Sequence, residues 1–71
     1  IEVLELSVTA ESKFARKKYS IDKIPEDIAL GAIVRNGKII IPDLNTHIQP
    51  HDELIVFTKE ENIIKAENLF Q

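Results

Sequence analysis

The sequence predicts an α+β domain of order β-α-β-β-β-α, a small four-stranded sheet with helices packed on it. Three observations carry that reading. Asn36-Gly37 stands between two apolar, β-branched runs, Ala29–Val34 and Ile39–Ile41. Such a pair suits a type I′ hairpin turn, whose two central residues need positive φ. A third apolar run, Leu54–Phe57, follows a turn-rich link, and Ile63, Ala66 and Phe70 then recur at helical spacing.

The remaining elements follow in order. Ile1–Val8 reads as a strand whose alternation slips around Leu4–Glu5, which suits a bulge or an edge position. Thr9–Tyr19 holds a short helix of two to three turns at most, with Thr9 or Ser12 as its cap. Ser20–Asp27 is a connector, because Pro25 pushes Ile24 towards extended backbone. Ile28–Val34 is almost continuously apolar, the pattern of a strand buried on both faces. Pro42 ends the third strand, and Leu44 and Ile48 anchor the polar link from Asp43 to Asp52. Glu53–Thr58 is the fourth strand. Thr58-Lys59-Glu60-Glu61 then fits a capping box at the start of the closing helix.

Length and composition bound the function. Seventy-one residues allow one domain, and a core this small is marginal without support. There is no cysteine, which excludes disulfides and thiolate metal sites. The net charge of −3 argues against nucleic acid or an anionic membrane as a general partner. The chain begins inside a strand and reads as a fragment of a longer protein. No nucleophile, base and orienting group fall into one pattern, and no Gly-rich phosphate loop exists, so catalysis is not expected. Two neighbouring strands that are apolar on both faces need cover on both sides. One short and one medium helix cover one side, and a second copy of the chain is expected on the other; the alternative is that the two helices split across both faces. Ile28, Leu30, Ile33, Ile39 and Ile40 are the expected dimer contacts.

The ordered set Ala32–Gly37, Ile40-Ile41-Pro42, Asn45–Ile48 and Pro50–Val56, followed by a helix ending Leu69-Phe70, resembles the RCK-C or TrkA-C family. These are the C-terminal regulatory domains of Trk/Ktr-type potassium uptake proteins. The resemblance spans nearly the whole chain, residues 1–71. It departs where His51-Asp52 replaces a Gly-Asp turn, and where Phe14-Ala15-Arg16-Lys17 replaces a Leu-x-Gly-Lys. It implies a cytoplasmic, homodimeric, ligand-sensing domain behind a Rossmann-like nucleotide-binding domain. Such a domain sits at the inner face of the membrane and controls a potassium transporter or channel subunit. The alternative is a dimerisation module with no ligand of its own. In some members the ligand is cyclic di-AMP, held by an Arg, an Asn and a Pro. The matching positions here are Lys23, Ala29 and Pro42, and only the Pro is kept. Lys lacks the bidentate fork of Arg, and Ala has no hydrogen-bonding side chain, so cyclic di-AMP is disfavoured and the resemblance leaves the ligand open, a nucleotide or a divalent cation. No cofactor is expected in the domain itself.

The candidate ligand residues are thus Lys23, Glu26, Asp27, Arg35 and Pro42. Glu26 and Asp27 would repel their symmetry mates, and a cation would relieve that. Arg35 is placed to pair with an acid across the sheet or to reach a ligand. Lys13, Arg16, Lys17 and Lys18 read as a solvated basic face. Asp43, His47, His51 and Asp52 share a loop without metal-ligand spacing and read as turn residues, Asp52 bonding its own backbone.

Overall fold

A computed structural model describes all 71 residues. Its elements are β1 (Glu2–Ser7), α1 (Lys13–Arg16), β2 (Ile28–Arg35), β3 (Lys38–Ile40), β4 (Glu53–Thr58) and α2 (Ile63–Phe70). Single 3-10 turns at Ile21–Lys23 and Glu60–Asn62 link them. The sheet order is β1-β4-β2-β3, with every neighbouring pair antiparallel. Along the chain the elements follow the expected β-α-β-β-β-α order of an α+β domain. No helix is long and apolar enough to cross a membrane.

The hairpin forms where the turn chemistry puts it. Asn36 and Gly37 have φ of 53° and 76°, the two left-handed residues of a type I′ turn. Both helices lie on the same face of the sheet. Leu6, Ile28, Ile33, Leu54 and Val56 from the strands are buried there with Phe14, Ala15, Ala66 and Phe70 from the helices. The Phe14 ring meets Tyr19 edge-on at 5.5 Å and Phe70 at 5.3 Å. Each fully buried side chain of this size contributes about 1.5–3 kcal/mol.

The opposite face of the sheet has no cover. Cross-strand partners share a face, so Val3 with Phe57, Glu5 with Ile55, Ala29 with Phe57, Ala32 with Ile55, and Val34 with Ile39 lie on it. Val3, Ile39 and Phe57 are 64%, 71% and 39% exposed. Phe57, the last residue of the third apolar run, therefore belongs to this open face.

The structure corrects the expected dimer contacts. Ile28 and Ile33 are buried in the chain's own core, at 4% and 0% exposure. Leu30 and Ile40 pack against that core as well. Of the five, Ile39 alone stands on the open face. Of the bulge or edge position expected for β1, the edge position holds, and the sheet's bulge lies elsewhere. β1 pairs with β4 without interruption, and the irregularity falls in β2 between Leu30 and Ala32. The extra residue is Gly31. A Cβ there would stand 2.3 Å from Cε2 of Phe57, whose ring lies over the glycine.

Both helix starts differ from the sequence reading. Ser12 is the N-cap of α1, but its hydroxyl caps nothing, has no hydrogen-bond partner and is buried. α1 is a single turn because Lys18 adopts φ 52° and the Tyr19 N–H reaches back to the Phe14 carbonyl at 3.3 Å. That is a Schellman ending, with Tyr19 packed on Phe14 as its hydrophobic contact. Thr58 does not cap the closing helix. It is the last residue of β4, paired with Glu2 and Ile28, and its hydroxyl donates to the Asp27 carbonyl at 2.8 Å.

Candidate functional site

The cleft nearest the predicted residues opens where β2 begins and β4 ends. The Glu60–Asn62 turn closes its third side. Its volume is about 350 Å³, and Glu26, Asp27, Ala29, Phe57, Lys59 and Glu61 line it. The backbone sets this geometry. Ile28 N–H donates to the Pro25 carbonyl at 3.1 Å, a turn that presents Glu26 and Asp27 just before the strand. Register then puts Ala29 opposite Phe57, so the cleft floor is apolar and runs onto the open sheet face.

Its electrostatics are acidic but partly balanced. Lys65 Nζ donates to Asp27 Oδ2 at 2.8 Å, an exposed pair. That hydrogen bond holds the Asp27 carboxyl below its usual value of 3.8. Asp27 thus has a cation already, supplied by α2, and a bound metal ion would have to displace it. Glu26 is exposed and has no ion pair. An acidic rim over an aromatic floor favours hydrogen-bond donors and cations on a flat apolar body. It disfavours phosphate groups.

The five predicted ligand residues do not form one site. Glu26 and Asp27 line the cleft, whereas Lys23 stands exposed outside it at the end of the first 3-10 turn. Arg35 is at the other end of β2, about 23 Å away at 3.3 Å per residue. Pro42, past the end of β3, is also outside the cleft. Ala29, the position that matches the family's Asn, does line the cleft, and Phe57 and Glu61 join it without having been expected. The alternation of β4, with Leu54 and Val56 buried, was the signal for Phe57, since it sets Ile55 and Phe57 on the other face.

Arg35 is committed to the fold. Its Nε donates to Asp52 Oδ1 and its Nη2 to Asp52 Oδ2, each at 2.8 Å, and Nη2 also reaches the His47 carbonyl at 2.9 Å. The Asp52 hydrogen bonds hold the guanidinium above its ordinary value. Asp52 is 1% exposed and also accepts the Gln49 N–H at 2.8 Å. This carboxylate therefore both shapes its own turn and ties the 43–52 loop to β2. The loop's other residues have local tasks. Asp43 accepts from the Asn45 N–H and the Thr46 hydroxyl, and His51 takes φ 73° where the resemblance has Gly. Lys13, Arg16 and Lys17 are exposed.

Comparison with known proteins agrees with this architecture. Residues 3–71 match the family described as the TrkA-C domain. The Trk system potassium uptake protein TrkA homolog of Archaeoglobus fulgidus is 42% identical over 48 residues, which are 68% of this chain. The chain matches 11% of the length of that relative. A solved structure described as "Structure of RCK domain with cda" superposes with a TM-score of 0.82 at 22% identity, covering 100% of both chains. That likeness is one of fold. The family match runs from Val3 to Gln71, through all four strands and both helices, and on that ground the chain belongs to the TrkA-C domain family.

Proposed function

We infer that this chain is a dimerising, ligand-responsive regulatory domain of a potassium-transport protein. In the parent chain it follows a Rossmann-like nucleotide-binding domain and works at the cytoplasmic side of a transporter or channel subunit. Its role is binding rather than catalysis. The observation that carries this reading is the open sheet face, with Val3, Ile39 and Phe57 exposed on it and an acidic cleft at its border. A contiguous apolar surface on a small domain marks an interaction site. Two copies meeting on these faces would cover them and bring their clefts to the rim of the contact. The family match and the TrkA homolog, described as a potassium uptake protein, support the link to potassium uptake.

Coupling requires a ligand that binds one dimer geometry better than the other. The cleft suits a nucleobase, its ring on Phe57 and its exocyclic amine towards Glu26 or Glu61, or a divalent cation that displaces Lys65. Sedimentation of the chain over a range of concentrations tests this, with cyclic dinucleotides, adenine nucleotides and divalent cations added in turn. We expect a dimer that one of these strengthens. Ile39→Lys should weaken association at least about tenfold, equivalent to 1.4 kcal/mol, while the monomer stays folded. A monomer at every concentration refutes the reading. A dimer indifferent to every ligand moves the assignment to an assembly module without a ligand, a reading that the scattering of Lys23, Arg35 and Pro42 outside the cleft favours.

A further inference from the structure

A second cleft, of about 370 Å³, lies between the end of α1 and the loop that leads into β4. It shares no residue with the first and sits by the opposite end of β4. Ala15, Lys18, His47, Ile48, Gln49 and Pro50 line it. Its polar side chains are an ammonium, an imidazole and an amide, and no carboxylate faces it.

Arg35 and Asp52 neutralise each other. Asp43 and Asp22 keep their charge, since their hydrogen bonds come from an N–H and from hydroxyls. Lys13, Arg16, Lys17 and Lys18, on and after α1, are exposed and in no ion pair. These four cations outweigh the two acids, so the local charge is positive in a chain whose net charge is −3.

The backbone adds an independent observation. Lys18 holds φ 52° at the position after a helix where glycine is strongly preferred. The left-handed turn serves the Schellman ending of α1, but the lysine side chain adds nothing to it, being exposed and in no ion pair. A turn that glycine makes at less strain, built on an exposed lysine, points to a use for that side chain.

We propose that this cleft binds a small phosphate-bearing anion, with Lys18 supplying the charge, His47 and Gln49 directing hydrogen bonds, and Ala15, Ile48 and Pro50 forming an apolar wall. The site stands whether or not the dimer reading holds.

Amide and side-chain NMR shifts of the 71-residue chain, titrated with inorganic pyrophosphate and separately with a soluble short-chain phosphatidic acid, test it. Saturating shifts confined to Lys18, His47, Gln49 and their neighbours are expected. Lys18→Asn should weaken them at least about tenfold, with the unfolding midpoint no lower than the parent's, because Asn tolerates the left-handed region. Lys18→Gly should lose binding equally while raising the unfolding midpoint. Saturation by pyrophosphate identifies a soluble ligand, and saturation by the lipid alone identifies a headgroup. Shifts that never saturate, that spread equally to Lys38 and Lys65, or that survive Lys18→Asn overturn the proposal.

Discussion

Replacing Arg35 by Met should nearly unfold this domain, and a second substitution should partly restore it. Arg35 supplies two of the three side-chain hydrogen bonds on the Asp52 carboxylate, and the Gln49 N–H supplies the third. The partners are unequally placed, with Asp52 1% exposed and the Arg35 side chain 24% exposed. Loss of the arginine leaves a carboxylate cut off from water, a change that costs about 3–5 kcal/mol. Loss of the acid through Asp52→Asn leaves a guanidinium that reaches solvent and keeps the His47 carbonyl, and costs about 1–3 kcal/mol. At about 0.05–0.15 kcal/mol per residue, a chain of this length holds about 4–11 kcal/mol in total. Arg35→Met therefore removes much of the stability. Arg35→Met/Asp52→Asn removes the stranded charge yet keeps an acceptor for the Gln49 N–H, and should be about 1–2 kcal/mol more stable than Arg35→Met alone. Urea unfolding followed by circular dichroism, near neutral pH and at one protein concentration, reads all three differences. The reasoning fails if Arg35→Met lies within about 1 kcal/mol of the parent, or if adding Asp52→Asn destabilises it further.

Two other perturbations test the fold around the candidate site. Gly31→Ala puts a methyl group 2.3 Å from the Phe57 ring, so it should cost about 1–3 kcal/mol in urea unfolding and displace the Phe57 ring resonances. The Asp27–Lys65 pair sets a pH dependence. Asp27 has its carboxyl lowered by the hydrogen bond from Lys65. Its contribution is therefore fully present above the unfolded value of 3.8 and is lost as pH falls through the folded value. Asp27→Asn should have a lower unfolding midpoint than the parent at neutral pH, and the two should converge once the pH falls below the lowered carboxyl value.

Most of the strand order was legible because each turn carries its own chemistry. Asn36-Gly37 specified a hairpin locally, and Glu53–Thr58 appeared with the observed bounds. Which side of β2 faces the helices was not legible. Ile28–Val34 is apolar at nearly every position, so period-two alternation has nothing to grip. The capping box at Thr58 failed for a related reason. The same four residues suit a helix start, but Thr58 was already taken by two strand partners and by the Asp27 carbonyl. α1 ended early through a Lys in a left-handed position, where sequence rules look for Gly or Asn. At the candidate site, Glu26-Asp27 was visible as an adjacent acidic pair. Phe57 and Glu61 join it only through register and the packing of the Glu60–Asn62 turn, which no local pattern encodes.

The bulge at Gly31 is a phase shift written into one strand. Up to Leu30 the core residues of β2 occupy even positions, Ile28 and Leu30. Beyond it the fully buried residue is Ile33, and Arg35, which reaches Asp52, shares its parity. One glycine thus lets two half-strands with opposite numbering present a single continuous core. Deleting the glycine would leave all four in one alternation. Pairing β2 without the bulge while the glycine stays would put the halves in one count and force a choice, either Ile28 and Leu30 inside or Ile33 and Arg35 inside, but not both. An alignment that slides a one-residue gap through β2 makes the same choice on paper. Residues on one side of Gly31 would then be credited to the wrong face, and a core isoleucine would be mistaken for a contact with a partner.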